Sequence, residues 1–188
     1  MTATIERTTL TERPAPSPPV RLSMVPAGSA PGLLDGAWWP RSRDLARELP
    51  ALTDALDVPW GRVTRVTVNP SLWPVIPRKV PVTGHTVHVG WFAAEQDRNK
   101  LILLSYTRGR MDLLVVPAET GAAAAARLMS AAAAPGGLST ASALMADEDS
   151  ATREGTEARG REEGWETDGG AASPGGDPAG PLGASRGR

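Results

Sequence analysis

Residues 35–44 read DGAWWPRSRD and place two tryptophans (Trp38, Trp39), two arginines (Arg41, Arg43) and two aspartates (Asp35, Asp44) within ten positions. Arginine grips carboxylate or phosphate through a two-pronged fork and stacks on aromatic faces. A pocket built from this segment would have an aromatic floor and a cationic rim, suited to a small anionic molecule or an acidic group of a partner. The same residues also have a plain structural account. Tryptophan fills cores, Asp35-Gly36 is a natural turn, and Arg41 and Arg43 can pair with Asp44 or Glu48.

Other chemistry is thinner. His85 and His88 are the only histidines. Three positions apart on an alternating segment, they point to opposite faces of a strand and would not share a metal ion. No metal site and no cofactor is expected. His88 would serve at most as a lone general base beside the 35–44 cluster, and no nucleophile motif accompanies it. Gly28, Gly32 and Gly36 are not followed by the GK[ST] of a phosphate loop. Residues 60–116 hold 8 Lys/Arg against 3 Asp/Glu. Arg62, Arg65, Arg78, Lys79, Arg108 and Arg110, with Trp60 and Trp73 nearby, would form a nucleic-acid face. Against this, residues 20–146 carry a surplus of only +4, which is small for phosphate binding. No helix-turn-helix, zinc-finger or RNA-recognition motif accompanies it, so nucleic acid ranks last among the partners.

These residues must be held by an ordered body. Residues 21–26 suggest a short strand. Pro40 biases Trp39 away from helix, so both tryptophans should lie on extended chain. Leu45, Leu49, Leu52 and Leu56 form one stripe of an amphipathic helix. Ser42 is its expected N-cap, and Pro50 is expected to kink or split it. Residues 62–68, 72–76, 79–82 and 85–92 read as strands, the proline-broken ones at an edge, and 94–99 as a polar turn. Residues 101–106 and 111–116 flank TRGR as a hairpin and are apolar on both faces, which predicts central strands covered twice. One cover is the leucine helix. The other is the alanine-rich helix at 121–133 capped by Thr120, or else a second copy of the protein. A short helix near 139–145 closes the domain. Successive strands with short turns predict an α+β fold with an antiparallel meander of five to six strands; a small closed β-barrel is the alternative.

Composition sets the limits. Residues 1–19 hold four prolines, and residues 147–188 are rich in Gly, Ala, Pro, Glu and Arg, with Trp165 and Leu182 the only large apolar residues. Both are expected to be disordered, leaving a single domain over 20–146. The last segment carries 5 Arg against 10 Asp/Glu, so an acidic, solubilising tail follows a mildly basic body; a tail that folds back and screens the basic face is the alternative. The absence of cysteine excludes disulfides and fits a reducing compartment. No apolar run reaches the roughly 20 residues of a bilayer span, so a cytoplasmic protein without membrane partners is expected.

The run at 33–45 (LLDGAWWPRSRDL), with GRVTRV at 61–66, VGWF at 89–92 and MDLLVVP at 111–117, resembles an actinobacterial domain family of unknown function. The resemblance spans roughly residues 20–145. It implies domain limits and source, and brings no activity, ligand or site residue. The expected function is a non-enzymatic binding or regulatory module, homodimeric if a second copy covers the sheet. The alternative is a small enzyme acting on an anionic small molecule through Asp35, Arg41, Arg43 and Asp44 with His88. Nucleic-acid binding through a basic sheet face comes third.

Overall fold

The computed structural model describes residues 19–92 and 97–168. Residues 1–18 of the expected N-terminal tail, 94–96 of the expected polar turn and 169–188 of the expected C-terminal tail lie outside the described residues. Seven strands, β1 (Leu22–Met24), β2 (Gly36–Trp38), β3 (Val63–Val68), β4 (Lys79–Val82), β5 (His85–Trp91), β6 (Lys100–Ser105) and β7 (Gly109–Val115), form one sheet. Three helices accompany it: α1 (Leu45–Asp57), α2 (Ala122–Ala132) and α3 (Ala141–Asp168).

The sheet order is β1-β2-β7-β6-β3-β5-β4. The α+β class holds, but the sheet is open and mixed, neither a closed barrel nor a pure antiparallel meander. β2 pairs with β7, and β3 with β5, in parallel. Proline explains the second pair. Pro81 has no N–H to give to a ladder, so β4 is confined to an edge. The β4–β5 hairpin therefore turns β5 inward against β3, and the intervening segment crosses without forming the strand expected at 72–76.

Strand alternation puts Val66, Val68, Val87, Val89, Leu101, Leu103, Met111, Leu113 and Val115 on one face, where α1 buries them. Pro50 lies inside α1 and neither splits it nor opens it. Magnitudes decide this. An interior proline costs about 3 kcal/mol, whereas burying Leu45, Leu49, Leu52 and Leu56, each at most 2% exposed, contributes about 6–12 kcal/mol.

On the opposite face, α2 and the start of α3 bury Leu34, Ala37, Leu114 and Val116. Gly121 rather than Thr120 is the N-cap of α2, without a side-chain cap bond. This cover reaches the β2–β7 end only. The outward residues of β6, Ile102 and Leu104, stay half-buried, so the expected double covering is complete for β7 and partial for β6.

α3 does not stop near Met145. Arg127 on α2 pairs with Glu148, and the helix continues to Asp168. The chain divides after Ser150. From Ala151 the described side chains are exposed. Helix-forming alanine, glutamate and arginine, and pairs such as Arg153 with Glu157 and Glu157 with Arg161 at four-residue spacing, favour helix there without a core.

Asp97 anchors the start of α3. Its carboxylate accepts from the Ser142 backbone N–H at 2.9 Å, the Ser142 hydroxyl at 2.6 Å and the Asn99 N–H at 3.0 Å. Partial burial pushes this carboxyl up, but the donated hydrogen bonds and Lys100 outweigh it and hold it below the usual carboxylate range. A pKa lower in the folded than in the unfolded chain contributes stability above the unfolded value, about 3.9, that is lost as pH falls through the folded value. Asp97→Asn should therefore be less stable than wild type at neutral pH, with the gap closing as urea midpoints are followed below about pH 4.

Candidate functional site

The 35–44 segment is partly brought together: Trp38, Trp39 and Arg41 border one cleft, and Asp35, Arg43 and Asp44 are not in its lining. Asp35 flanks β2 and is tied to β7. Its N–H donates to Asp112 O at 2.7 Å, and its Oδ2 accepts from Asp112 N–H at 2.7 Å. Trp38 is 1% exposed and stacks on Trp73, with ring centroids 5.6 Å apart at 20°. Trp39 turns to the other side, and the Arg21 guanidinium lies 3.4 Å above its ring. Arg21 also donates to Trp39 O at 2.9 Å and to Pro40 O. Arg41 donates from its backbone N–H to Glu48 Oε2 at 3.0 Å and from its guanidinium to Pro19 O at 3.0 Å. Asp44, not Ser42, is the N-cap of α1, accepting from Arg47 N–H at 3.2 Å. Ser42 instead donates to Glu48 Oε1 at 2.7 Å. Arg43 is exposed.

That cleft of about 610 Å³ opens beside this segment, lined among others by Arg21, Trp38, Trp39, Arg41, Glu48 and Asp54. Its charges are mixed, and Arg21, Arg41 and Glu48 already bind within the chain. The wall is built largely of groups spent on the fold.

The uncovered half of the sheet differs. Register places Lys79 beside His88, His88 beside Arg65, Arg65 beside Leu104, and Leu104 beside Arg110. These residues form one row across five strands on the face opposite α1. Four steps at about 4.8 Å make the row about 19 Å long. Two depressions, of about 510 and 470 Å³, lie along it and share Arg65 and His88. The first is lined also by Arg78, Lys79, Gly90, Trp91 and Phe92, and the second by Leu104, Tyr106 and Arg110. No described acidic residue lines either one. Arg65, Arg78 and Lys79 make no ion pair among the described residues.

Asp112 marks the row's far end. Arg110 holds it through Nε at 2.6 Å and through its terminal nitrogen at 2.8 Å, and Lys100 Nζ approaches at 3.1 Å. Burial pushes the Asp112 carboxyl up, but these two cations outweigh it and the net direction is down. The Asp112 bond in turn raises Arg110. Arg110 thus enters the row paired with a carboxylate, while Arg65, Arg78 and Lys79 make no ion pair among the described residues.

The two histidines face opposite ways. His85 Nε2 donates to Val63 O at 2.7 Å, and its ring sits 3.7 Å from Asp57, whose other oxygen accepts Val63 N–H at 2.8 Å. His85 is a tie between α1 and β3. His88 is exposed in the row. Among the described residues no group of three potential metal ligands occurs, and no helix is long and apolar enough to cross a membrane.

Sequence reasoning named Arg65, Arg78, Lys79 and Arg110 as basic residues but missed His88 and Gly90 as their neighbours. Alternation alone would have put His88 with Thr86 and Gly90 on the polar face of β5. The partner strands were not readable. The sequence profile of DUF5994, a family of unknown function, matches residues 21–132. No curated protein and no solved structure matches the chain.

Proposed function

The chain belongs to DUF5994, a family of unknown function, and from that premise we propose a non-enzymatic binding module whose recognition surface is the uncovered half of the sheet. One observation carries this reading: the row Lys79–His88–Arg65–Leu104–Arg110, with Arg78 beside it, lies on a face that, among the described residues of the domain, neither α1 nor α2 covers. Arg65, Arg78 and Lys79, like charges without an ion pair among the described residues, are unfavourable for the isolated fold and favourable for an anionic ligand. The 35–44 segment moves from candidate site to scaffold, because Asp35, Trp38, Arg41 and Asp44 each serve a strand, the core or a helix end. That also withdraws support from an enzyme built on those residues.

The apolar second face of β7 had suggested a covering copy of the protein. Leu114 and Val116 are buried within the chain by α2 and α3, so they supply no reason for a homodimer. To the same proposal belong a single domain over roughly residues 20–150, supported by the Arg127–Glu148 pair. An actinobacterial source and the reading of DGAWWPRSRDL as a family signature rest on the arginine-, alanine- and glycine-rich composition and on the span of the family match. A cytoplasmic address rests on the lack of cysteine.

Titrating the full chain with inorganic polyphosphate while following backbone amide NMR shifts tests the surface. Perturbations should concentrate on Arg65, Lys79, His88 and Leu104. Shifts centred instead on Trp39, Arg41 and Glu48 would return the site to the cleft beside α1 and overturn the reading.

A further inference from the structure

We infer that the ligand of this face is single-stranded nucleic acid, its phosphates following the cationic row and one unstacked base lying in the depression over Gly90. The inference rests on the reading of the sheet face as a binding surface and adds the class of ligand. Three observations carry it.

The first is aromatic. Phe92 is 59% exposed and lines the depression that also holds Arg65, Arg78 and Lys79; Trp91, in register with Val68 and two residues past Val89, turns to the α1 side. Tyr106, 94% exposed, lies at the other depression. Aromatic rings beside a cationic track are what a single strand uses: every base has a π-face to stack, and each stack contributes about 1–3 kcal/mol.

The second is the floor. Gly90 is on the open face of β5, in register with Thr67. A Cβ placed there would meet only Thr67 Oγ1, at 4.0 Å, and Gly90 is not among the glycines with positive φ. Neither backbone nor packing requires glycine at this strand position. Its effect is to leave space beside Arg65 and His88 on that face unfilled.

The third is width. A major groove is about 12 Å across and admits a helix or a two-stranded ribbon. The row is about 19 Å long across five strands. Such a face cannot enter a groove, whereas a single strand can lie on it with bases splayed. An acidic peptide would neutralise the same cations but has no use for the unfilled space or the rings.

The test is fluorescence anisotropy with the full chain and a labelled mixed-sequence strand of about twelve nucleotides. The annealed duplex, polyphosphate, polyglutamate and vesicles containing phosphatidylglycerol are run beside it. The strand should bind at least ten times more tightly than duplex, polyglutamate or vesicles. Raising salt from about 50 to about 200 mM should weaken strand binding about 20- to 50-fold, the response to three or four neutralised phosphates. Gly90→Leu should weaken strand binding at least tenfold and leave polyphosphate binding unchanged, which also shows that the variant is folded. Duplex, polyglutamate or vesicles binding as well as the strand would overturn the inference, as would a folded Gly90→Leu with unaltered strand affinity. Polyphosphate binding at Arg65 and Lys79 would still stand in those cases. Failure of polyphosphate to bind would remove the face as a binding surface altogether. The strand-to-duplex comparison uses the unaltered chain and decides the matter independently of the variant.

Discussion

The double substitution Arg65→Glu with Lys79→Glu should weaken binding of a single-stranded oligonucleotide by about a hundredfold to ten-thousandfold while leaving the melting temperature nearly unchanged. Each side chain supplies a charge-assisted contact worth about 1.5–3 kcal/mol, and two such losses give about 3–6 kcal/mol. Reversal adds repulsion of phosphate, so the neutral pair Arg65→Gln with Lys79→Gln should lie between the double reversal and wild type. Stability is spared because both residues are exposed and neither forms an ion pair among the described residues. Exposed substitutions of this kind stay within about 0.5 kcal/mol. Anisotropy and differential scanning calorimetry on the same samples separate the two effects. A loss of affinity that tracks a fall in melting temperature would mean that the residues act through the fold. Unchanged affinity in a stable variant would mean that they do not touch the ligand.

Trp38→Ala has the opposite profile: a large loss of stability from a residue that sequence reading placed in a binding site. Its ring is stacked on Trp73 and packed in the α1 core. Removing a buried tryptophan costs about 3–5 kcal/mol through lost burial and the cavity left behind, with about 0.5–1.5 kcal/mol of that class of effect attached to aromatic pairing. For a domain of this size the melting temperature should fall by about 10 °C or more. Trp38→Phe keeps most of the volume and should lose much less. Arg43→Ala, five residues past the buried strand and exposed, should be nearly silent. Urea unfolding followed by far-ultraviolet circular dichroism checks all three. A Trp38→Ala protein as stable as wild type would place the ring outside the core.

The contrast between these predictions shows what was legible beforehand. Alternating residues identified β3, β5 and the β6–β7 hairpin, and the leucine stripe identified α1, because such periods are local properties of the chain. The pairing of Arg65 with His88 and of Arg65 with Leu104 is not local. It depends on which strand lies beside which, and Pro81 settled that by confining β4 to an edge, a step that period alone does not express. The candidate site followed the same division. Trp38, Trp39, Arg41 and Arg43 stand out because rare residues crowd a short span of sequence. Crowding in sequence also occurs where a tight corner must fill a core, cap a helix and turn the chain at once, and residues 35–44 do all three. The row on the sheet gathers ordinary residues from five separate strands, so no window of the sequence displays it.

The termination of the sheet has a consequence for the protein in a crowded cell. A row of unpaired amide groups at a sheet margin invites a neighbouring molecule to add its own strand, and repetition of that step yields fibres. Here one margin is a three-residue strand, too short to template such growth, and the other carries a lysine at its first position and a proline at its third. Molecules gathered along one nucleic-acid strand would meet at high local concentration and still lack a margin on which to polymerise.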